Sequence, residues 1–245
     1  MKIMFFVTSG IYAVSGKFTT EERLLQTLQT AHSIRDKIPN VTILLLDGSK
    51  ESLTKDQTNV LNTIYDGVID FSSHSIIKYL HDQNINSAMI KGPCESLMLK
   101  IATEKTKETD DTYDLFFKIS GRYCLSDEFS LDKHICDQYV FKRKEHGIEY
   151  YRTNPEELHY PDNISKYHTE YQYKTRLYSF PRNLLDTAIK DYNNIFNRMV
   201  LCYDDYGFTD IEHSTYYSLD HNNVKEVDVI GLEGPQAENG ISVKE

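Results

Sequence analysis

The segment Tyr113-Asp-Leu-Phe-Phe-Lys-Ile-Ser-Gly-Arg-Tyr-Cys-Leu125 decides how the rest of the chain is read. Leu115, Phe116, Phe117 and Ile119 form an almost continuous apolar run. A strand with one wet face would alternate, so both faces of this one are covered, as at the centre of an α/β sheet. The run ends in a polar corner, Ser120-Gly121-Arg122-Tyr123. Gly121 allows close backbone approach or a positive φ, and Lys118 and Arg122 offer cations to phosphate. Ligands of open α/β sheets sit beyond the carboxyl ends of the strands, which places the active site at this corner.

Upstream, Met1-Lys-Ile-Met-Phe-Phe-Val7 is a first strand, since its apolar run of five residues is too short for a signal-peptide core or a membrane span. The stretch from Thr8 to Phe18 fails as a phosphate-binding P-loop: Gly10 and Gly16 enclose five residues rather than four, and Phe18 replaces the metal-binding Ser or Thr. Thr8, Ser9 and Gly10 either contact a nucleotide or form an ordinary turn. Thr19 and Glu22 make a capping box, and Leu24, Leu25, Leu28, Ala31, Ile34 and Ile38 recur at helical spacing, which predicts a helix over 21–37. Val41 to Leu46 is then a buried strand parallel to the first, joined by a right-handed crossover. At its end Asp47 either bonds a base or ribose or closes an Asx turn before Gly48. Two short helices around a short strand at 68–71 are expected between 54 and 87. Lys91-Gly-Pro-Cys-Glu95 opens a helix with Pro93 near its first turn, where Lys91 either meets an anionic ligand or is solvated.

Downstream, Asp127 is the next acidic site after the corner and either holds a metal or hydroxyls or stays solvated. Tyr139-Val-Phe141 and Ile148-Glu-Tyr-Tyr151 around a basic turn predict a hairpin. Thr175 to Phe180 reads as a strand, with Pro181 starting a helix through Leu184 and Ala188. Ile211 to Leu219, capped by Asp210 or Thr209, is a short helix carrying Glu212 and His213. Neighbours on a helix diverge by about 100°, so one of the two faces a pocket, Glu212 as a general base or His213 as a metal ligand or proton carrier. Val224 to Leu232 is a last strand, followed by a loop and tail.

Composition sets bounds. A length of 245 residues suits one domain with a sizeable core. A net charge of -10 argues against a nucleic-acid groove, which is built from Lys and Arg. Cys94, Cys124, Cys136 and Cys202 have no metal-ligand or disulfide spacing, which fits a reduced, cytoplasmic setting.

Phe117-Lys-Ile-Ser-Gly-Arg-Tyr123 resembles the central motif of small bacterial, phage and giant-virus glycosyltransferases of the GT-A class, which use nucleotide-sugar donors. The block from Glu22 to Arg35 with Ile38-Pro39, and Asp210-Ile-Glu-His213 with the block from Val227 to Gly234, fall in the same order in those proteins. The resemblance implies an α/β, GT-A-like (Rossmann-like) fold with a mixed, mainly parallel sheet flanked by helices in a single domain. Residues 1–125 would bind the nucleotide sugar, 126–235 would face the acceptor, with 152–174 as an acceptor-side loop, and 236–245 would be a tail. It further implies transfer from a nucleoside-diphosphate sugar, such as a UDP-sugar, to a hydroxyl of a glycan-type acceptor. Arg122, Glu212, His213 and Asp127 would be catalytic; Thr8, Ser9, Gly10, Asp47, Lys91, Lys118, Ser120 and Gly121 would bind the donor. GT-A enzymes usually hold Mn2+ or Mg2+ through Asp-x-Asp after the central strand. Here that place reads Ser-Gly-Arg, which leaves a fixed guanidinium to meet the diphosphate. Two other readings remain: a nucleotidyltransferase that makes sugar nucleotides, which would want a basic glycine-rich signature after the first strand where only Lys17 stands, and a non-catalytic nucleotide- or glycan-binding module.

Overall fold

The structure is a computed structural model that describes residues 1–13, 16–83, 87–109, 112–147, 170–206, 209–236 and 239–245. In the first half, β1 (Ile3–Ser9), α1 (Thr20–Lys37), β2 (Val41–Asp47), α2 (Lys55–Leu61), β3 (Gly67–Asp70), α3 (Ser75–Asp82) and α4 (Ser87–Glu108) lead to β4 (Leu115–Ser120). The second half continues through β5 (Cys124–Leu125), β6 (Tyr139–Lys142), β7 (Glu145–His146), β8 (Tyr171–Gln172) and β9 (Leu177–Pro181). Then come α5 (Leu185–Tyr206), α6 (Ile211–Ser218), β10 (Val224–Val227), β11 (Leu232–Pro235) and β12 (Ser242–Lys244).

The main sheet has seven strands in the order β10-β6-β9-β4-β1-β2-β3, with β4 in the middle. β4, β1, β2 and β3 run parallel to one another, β9 is antiparallel to both β4 and β6, and β10 is parallel to β6. The apolar run of β4 is explained by two cores. Phe117 stacks on Phe5 at 4.4 Å between ring centroids, on the side that carries Ile34 of α1. Phe116 stacks on Phe180 at 5.2 Å, on the side that carries Leu99 of α4 and Tyr192 of α5. Both phenylalanines are 0% exposed, so each face excludes water and neither position tolerates a polar residue without a partner.

α1 starts as its capping box requires: Glu22 N donates to Thr19 Oγ1 (3.2 Å) and Thr19 N donates to Glu22 Oε2 (2.7 Å). Such a cap contributes about 1 kcal/mol. Its inward stripe differs from the expected one. Arg23, Thr27 and Thr30 are buried with Ala31 and Ile34, while Leu25 lies 55% exposed. The first turns face the polar corner rather than an apolar core: Thr27 Oγ1 donates to Gly121 O at 3.2 Å.

Four expected elements are corrected. α4 begins at Ser87, so Pro93 lies inside the helix and Lys91 is not at its N-terminus. Gly92 is spent on helix packing, because a Cβ there would lie 2.1 Å from Met199 Cε of α5. β6 pairs with β9 on one side and β10 on the other, which leaves no free edge for a hairpin partner, and β7 pairs with β8; the expected second hairpin arm, 148–151, and most of the acceptor-side loop lie outside the described residues. The final strand is two. β10 joins the main sheet, the chain turns at Gly231 (φ 86°), and β11 pairs with β5 and β12 in a small second sheet. The described part of the expected tail, 239–245, is therefore packed rather than loose, since Glu245 N donates to Leu232 O (2.8 Å) and its side chain is buried against Arg176. Among the described residues no helix is long and apolar enough to cross a membrane.

Candidate functional site

The carboxyl ends of β1, β2 and β4 open into a cleft roofed by α3 and α4. Its lining includes Thr8, Ser9, Gly10 and Tyr12 after β1, Gly48 after β2, Ser120 and Arg122 after β4, and Arg23, His81, Lys91 and Glu95 from the helices. The enclosed part is about 150 Å³. That is below the roughly 300–1,000 Å³ of sites that engulf a small molecule, so any ligand of that size would extend beyond the enclosed part.

The β1–β2 end is shaped by hydrogen bonds to the backbone. Asp47 is fully buried and accepts from Ile11 N (3.0 Å) and Ser49 N (3.1 Å), while Tyr12 N donates to Ser49 Oγ (2.9 Å). Burial pushes the Asp47 carboxyl up to about 6, against hydrogen bonds from Ser49 and Ile11 that pull it down. Asp47 thus fixes the loop after β1 and presents no exposed surface to the cleft. Thr8 Oγ1 and His81 Nδ1 are buried here with no hydrogen-bond partner among the described residues, and His81 Nε2 lies 3.0 Å from Gly48 O.

The β4 end holds charge. Lys118 is 0% exposed, with its Nζ 2.5 Å from Glu95 Oε1, 2.8 Å from Ser120 Oγ and 2.6 Å from Thr175 O. All three ammonium donors are thus directed at groups within the chain. Burial draws its ammonium below the usual lysine range, and the Glu95 carboxylate opposes that. Gly121 serves packing, as a Cβ there would come within 3.3 Å of Ser9 Cβ, Thr27 Oγ1 and Thr8 O. Arg122 behaves differently. Its guanidinium lies 5.5 Å from the Tyr123 ring centroid, its Nε is buried without a hydrogen-bond partner among the described residues, and it lines the cleft.

Glu212 is half-buried at the start of α6. Burial and Asp210 push its carboxyl above the usual range, while Lys174 and Arg176 pull against them. It is close enough to Lys118 to act on that ammonium, which sets it at the same end of the cleft as Glu95. His213 points elsewhere: it is 0% exposed, its Nδ1 is 2.7 Å from Asp210 Oδ1, and a Cβ on Gly147 would lie 2.0 Å from its Nε2. Asp127 is fully exposed and pairs with Lys37 at the far end of α1 (2.6 Å), so neither His213 nor Asp127 belongs to the cleft.

No protein-family model matches the chain, and no curated protein matches its sequence. Solved structures do match. Core-mannan synthase A from Aspergillus fumigatus, in an Mn/GDP form, aligns over 98% of this chain and 77% of its own, at 9% identity and a TM-score of 0.51. The galactosyltransferase LgtC, in complex with donor and acceptor sugar analogs, aligns over 93% of this chain and 73% of its own, at 13% identity and a TM-score of 0.50. The chain has the GT-A fold.

In this GT-A fold the expected site residues divide. Thr8, Ser9, Gly10, Lys91, Ser120 and Arg122 meet in one cleft; Glu212 stands beside it; Asp47, Lys118 and Gly121 support its walls; Asp127 and His213 lie away from it. Arg23, Glu95, His81 and Tyr12 line the cleft but were not expected there. The buried polar stripe of α1 was the available signal for Arg23. The corner after β4 carries no carboxylate, and among the described residues no three His, Cys, Asp or Glu side chains converge. The described residues do not fit a divalent cation.

Proposed function

We propose that the chain transfers a sugar from a nucleoside-diphosphate sugar to an acceptor hydroxyl. The observation that carries this reading is the sign of the cleft. In a chain of net charge -10, Arg23, Lys91 and Arg122 line the cleft at the strand ends, and among the described residues that line it the carboxylate, Glu95, is paired with Lys118. That arrangement suits a polyanion such as a diphosphate. The fold supports the reading, since its structural neighbours include an enzyme with GDP bound and one with donor and acceptor sugar analogs.

The chemistry needed is limited. The acceptor oxygen forms a bond to the anomeric carbon, the bond from that carbon to the phosphate oxygen breaks, and the electron pair leaves with the nucleoside diphosphate. Arg122 meets the charge that builds on that leaving group, with a planar fork suited to two phosphate oxygens. Glu212, at the same end of the cleft, takes the acceptor proton. Thr8, Ser9 and Gly10 hold the nucleotide from the β1 side, on a loop that Asp47 fixes.

The test pairs binding with turnover. Uridine and guanosine diphosphates and their hexose conjugates are expected to raise the melting temperature by mass action, a ligand at 100 times its Kd adding about 2.7 kcal/mol. The conjugates should release diphosphate when an acceptor is present. Absence of both binding and release across this panel, with and without Mn2+, overturns the reading.

A further inference from the structure

The corner after β4 is cationic in a place where a divalent ion would need carboxylate oxygens. Residues 120–122 supply a hydroxyl, no side chain and a guanidinium. A larger residue at Gly121 would press on Ser9, Thr27 and the Thr8 carbonyl, each 3.3 Å from where its Cβ would stand. Arg122 lies close enough to Lys118 to act on its ammonium. Mn2+ and Mg2+ are hard cations that take oxygen ligands, and one arriving here meets two positive groups instead.

The carboxylates around this corner are engaged within the chain. Glu95 pairs with Lys118 at 2.5 Å, Glu245 with Arg176, and Glu145 with Lys174 at 3.5 Å. Glu212 lies among Lys118, Lys174 and Arg176, with Asp210 behind it and held by His213. Turning Glu95 or Glu212 toward a metal would take counter-charge from a buried ammonium or a largely buried guanidinium. Arg122 differs. Among the described residues no carboxylate comes within ion-pair distance of it, and its Nε has no hydrogen-bond partner. Its guanidinium lies 5.5 Å from the centroid of the Tyr123 ring, which is buried and has Arg176 at 5.7 Å, so the ring is a fixed support for it. A held guanidinium with no counter-ion in the chain supplies the positive charge that a diphosphate otherwise takes from a metal.

We propose that this chain binds nucleoside diphosphates through Arg122 without a divalent cation, although a structural neighbour of the same fold is an Mn/GDP form. This rests on the nucleotide-sugar reading of the cleft. The test is isothermal titration with uridine and guanosine diphosphates, each in excess EDTA and again with Mn2+ enough to saturate the nucleotide. The preferred diphosphate should bind in EDTA within about threefold of its affinity in Mn2+. Arg122→Gln, which removes the charge and the fork, should weaken that diphosphate at least about tenfold in EDTA, with the melting temperature of the free protein unchanged. The comparison of EDTA with Mn2+ uses the unmodified protein, so it decides the matter even if the variant unfolds. A diphosphate that loses more than about threefold in EDTA, or a folded Arg122→Gln protein that loses less than about tenfold, overturns the proposal and leaves the nucleotide reading standing. Failure of both diphosphates to bind in either condition removes that reading and the proposal with it.

Discussion

The two ends of the cleft are built by opposite means. Where β1 and β2 finish, Asp47, Ser49 and Gly48 tie loops together through bonds to main-chain groups. Where β4 finishes, Lys118, Glu95, Arg122, Arg176 and Glu212 crowd within reach of one another's fields. One end sets a shape and the other concentrates charge. A change at the first end should loosen a loop, whereas a change at the second should leave a charge without its counterpart, which is the costlier fault in a buried place.

The largest expected effect is therefore at Lys118. Lys118→Met leaves the Glu95 carboxylate without its partner and should cost about 3–5 kcal/mol in urea denaturation. Adding Glu95→Gln should restore most of it, and a Lys118→Met protein of unchanged stability would break the contrast between the ends. Next is Arg122→Lys, which keeps the charge but loses the fork. Turnover should fall about a hundredfold to a thousandfold, roughly 2.7–4 kcal/mol, with the melting temperature unchanged. A matching loss of stability would move Arg122 from chemistry to scaffold.

The third effect sharpens the β1–β2 end through pH. The folded Asp47 carboxyl sits near 6 rather than 3.8, so its protonated form is the one that folding favours. Its contribution is complete below about pH 4 and is lost as pH rises through about 6, a span worth about 3 kcal/mol at 1.36 kcal/mol per unit. The stability difference between the unmodified protein and Asp47→Asn should shrink over that interval and be flat above it; a flat difference throughout shows that Asp47 is already ionised. The smallest effect is at Asp127. Asp127→Asn should change neither turnover nor melting temperature, because its pair with Lys37 is open to water.

These contrasts also show what could be read from residue order. Local devices were legible: the Thr19–Glu22 cap, the crossover from β1 to β2, and the double-sided burial of Leu115 to Ile119. The fate of Lys118 was written there too. Alternation along a strand puts Lys118 on the face of Phe116, and a strand covered on both faces seals that side chain in. Arg122 lies past the end of β4 and escapes this rule. Glu95 was not legible as a cleft residue, because its partner is brought to it by the packing of α4 on the sheet and not by spacing. Asp127 was misplaced through nearness in the chain, for β5 carries it away from the corner to Lys37. The hairpin at 139–151 failed because β6 pairs with strands far along the chain, contacts that no local pattern encodes.

The pairing of β11 with β5 has a consequence for how the molecule is made. Leu232 sits opposite Leu125 and Glu233 opposite Cys124, and a Cβ on Gly234 would lie 2.6 Å from Arg122 O. The backbone next to Arg122 is thus braced by residues more than a hundred positions later. During synthesis β1 to β4 can pair while the rest of the chain is still being translated, yet the corner after β4 has no neighbour on this side until residues 232–234 leave the ribosome. Sequence separations this long slow the search for native contacts, so the corner after β4 is expected to set last, on a scaffold that has already formed.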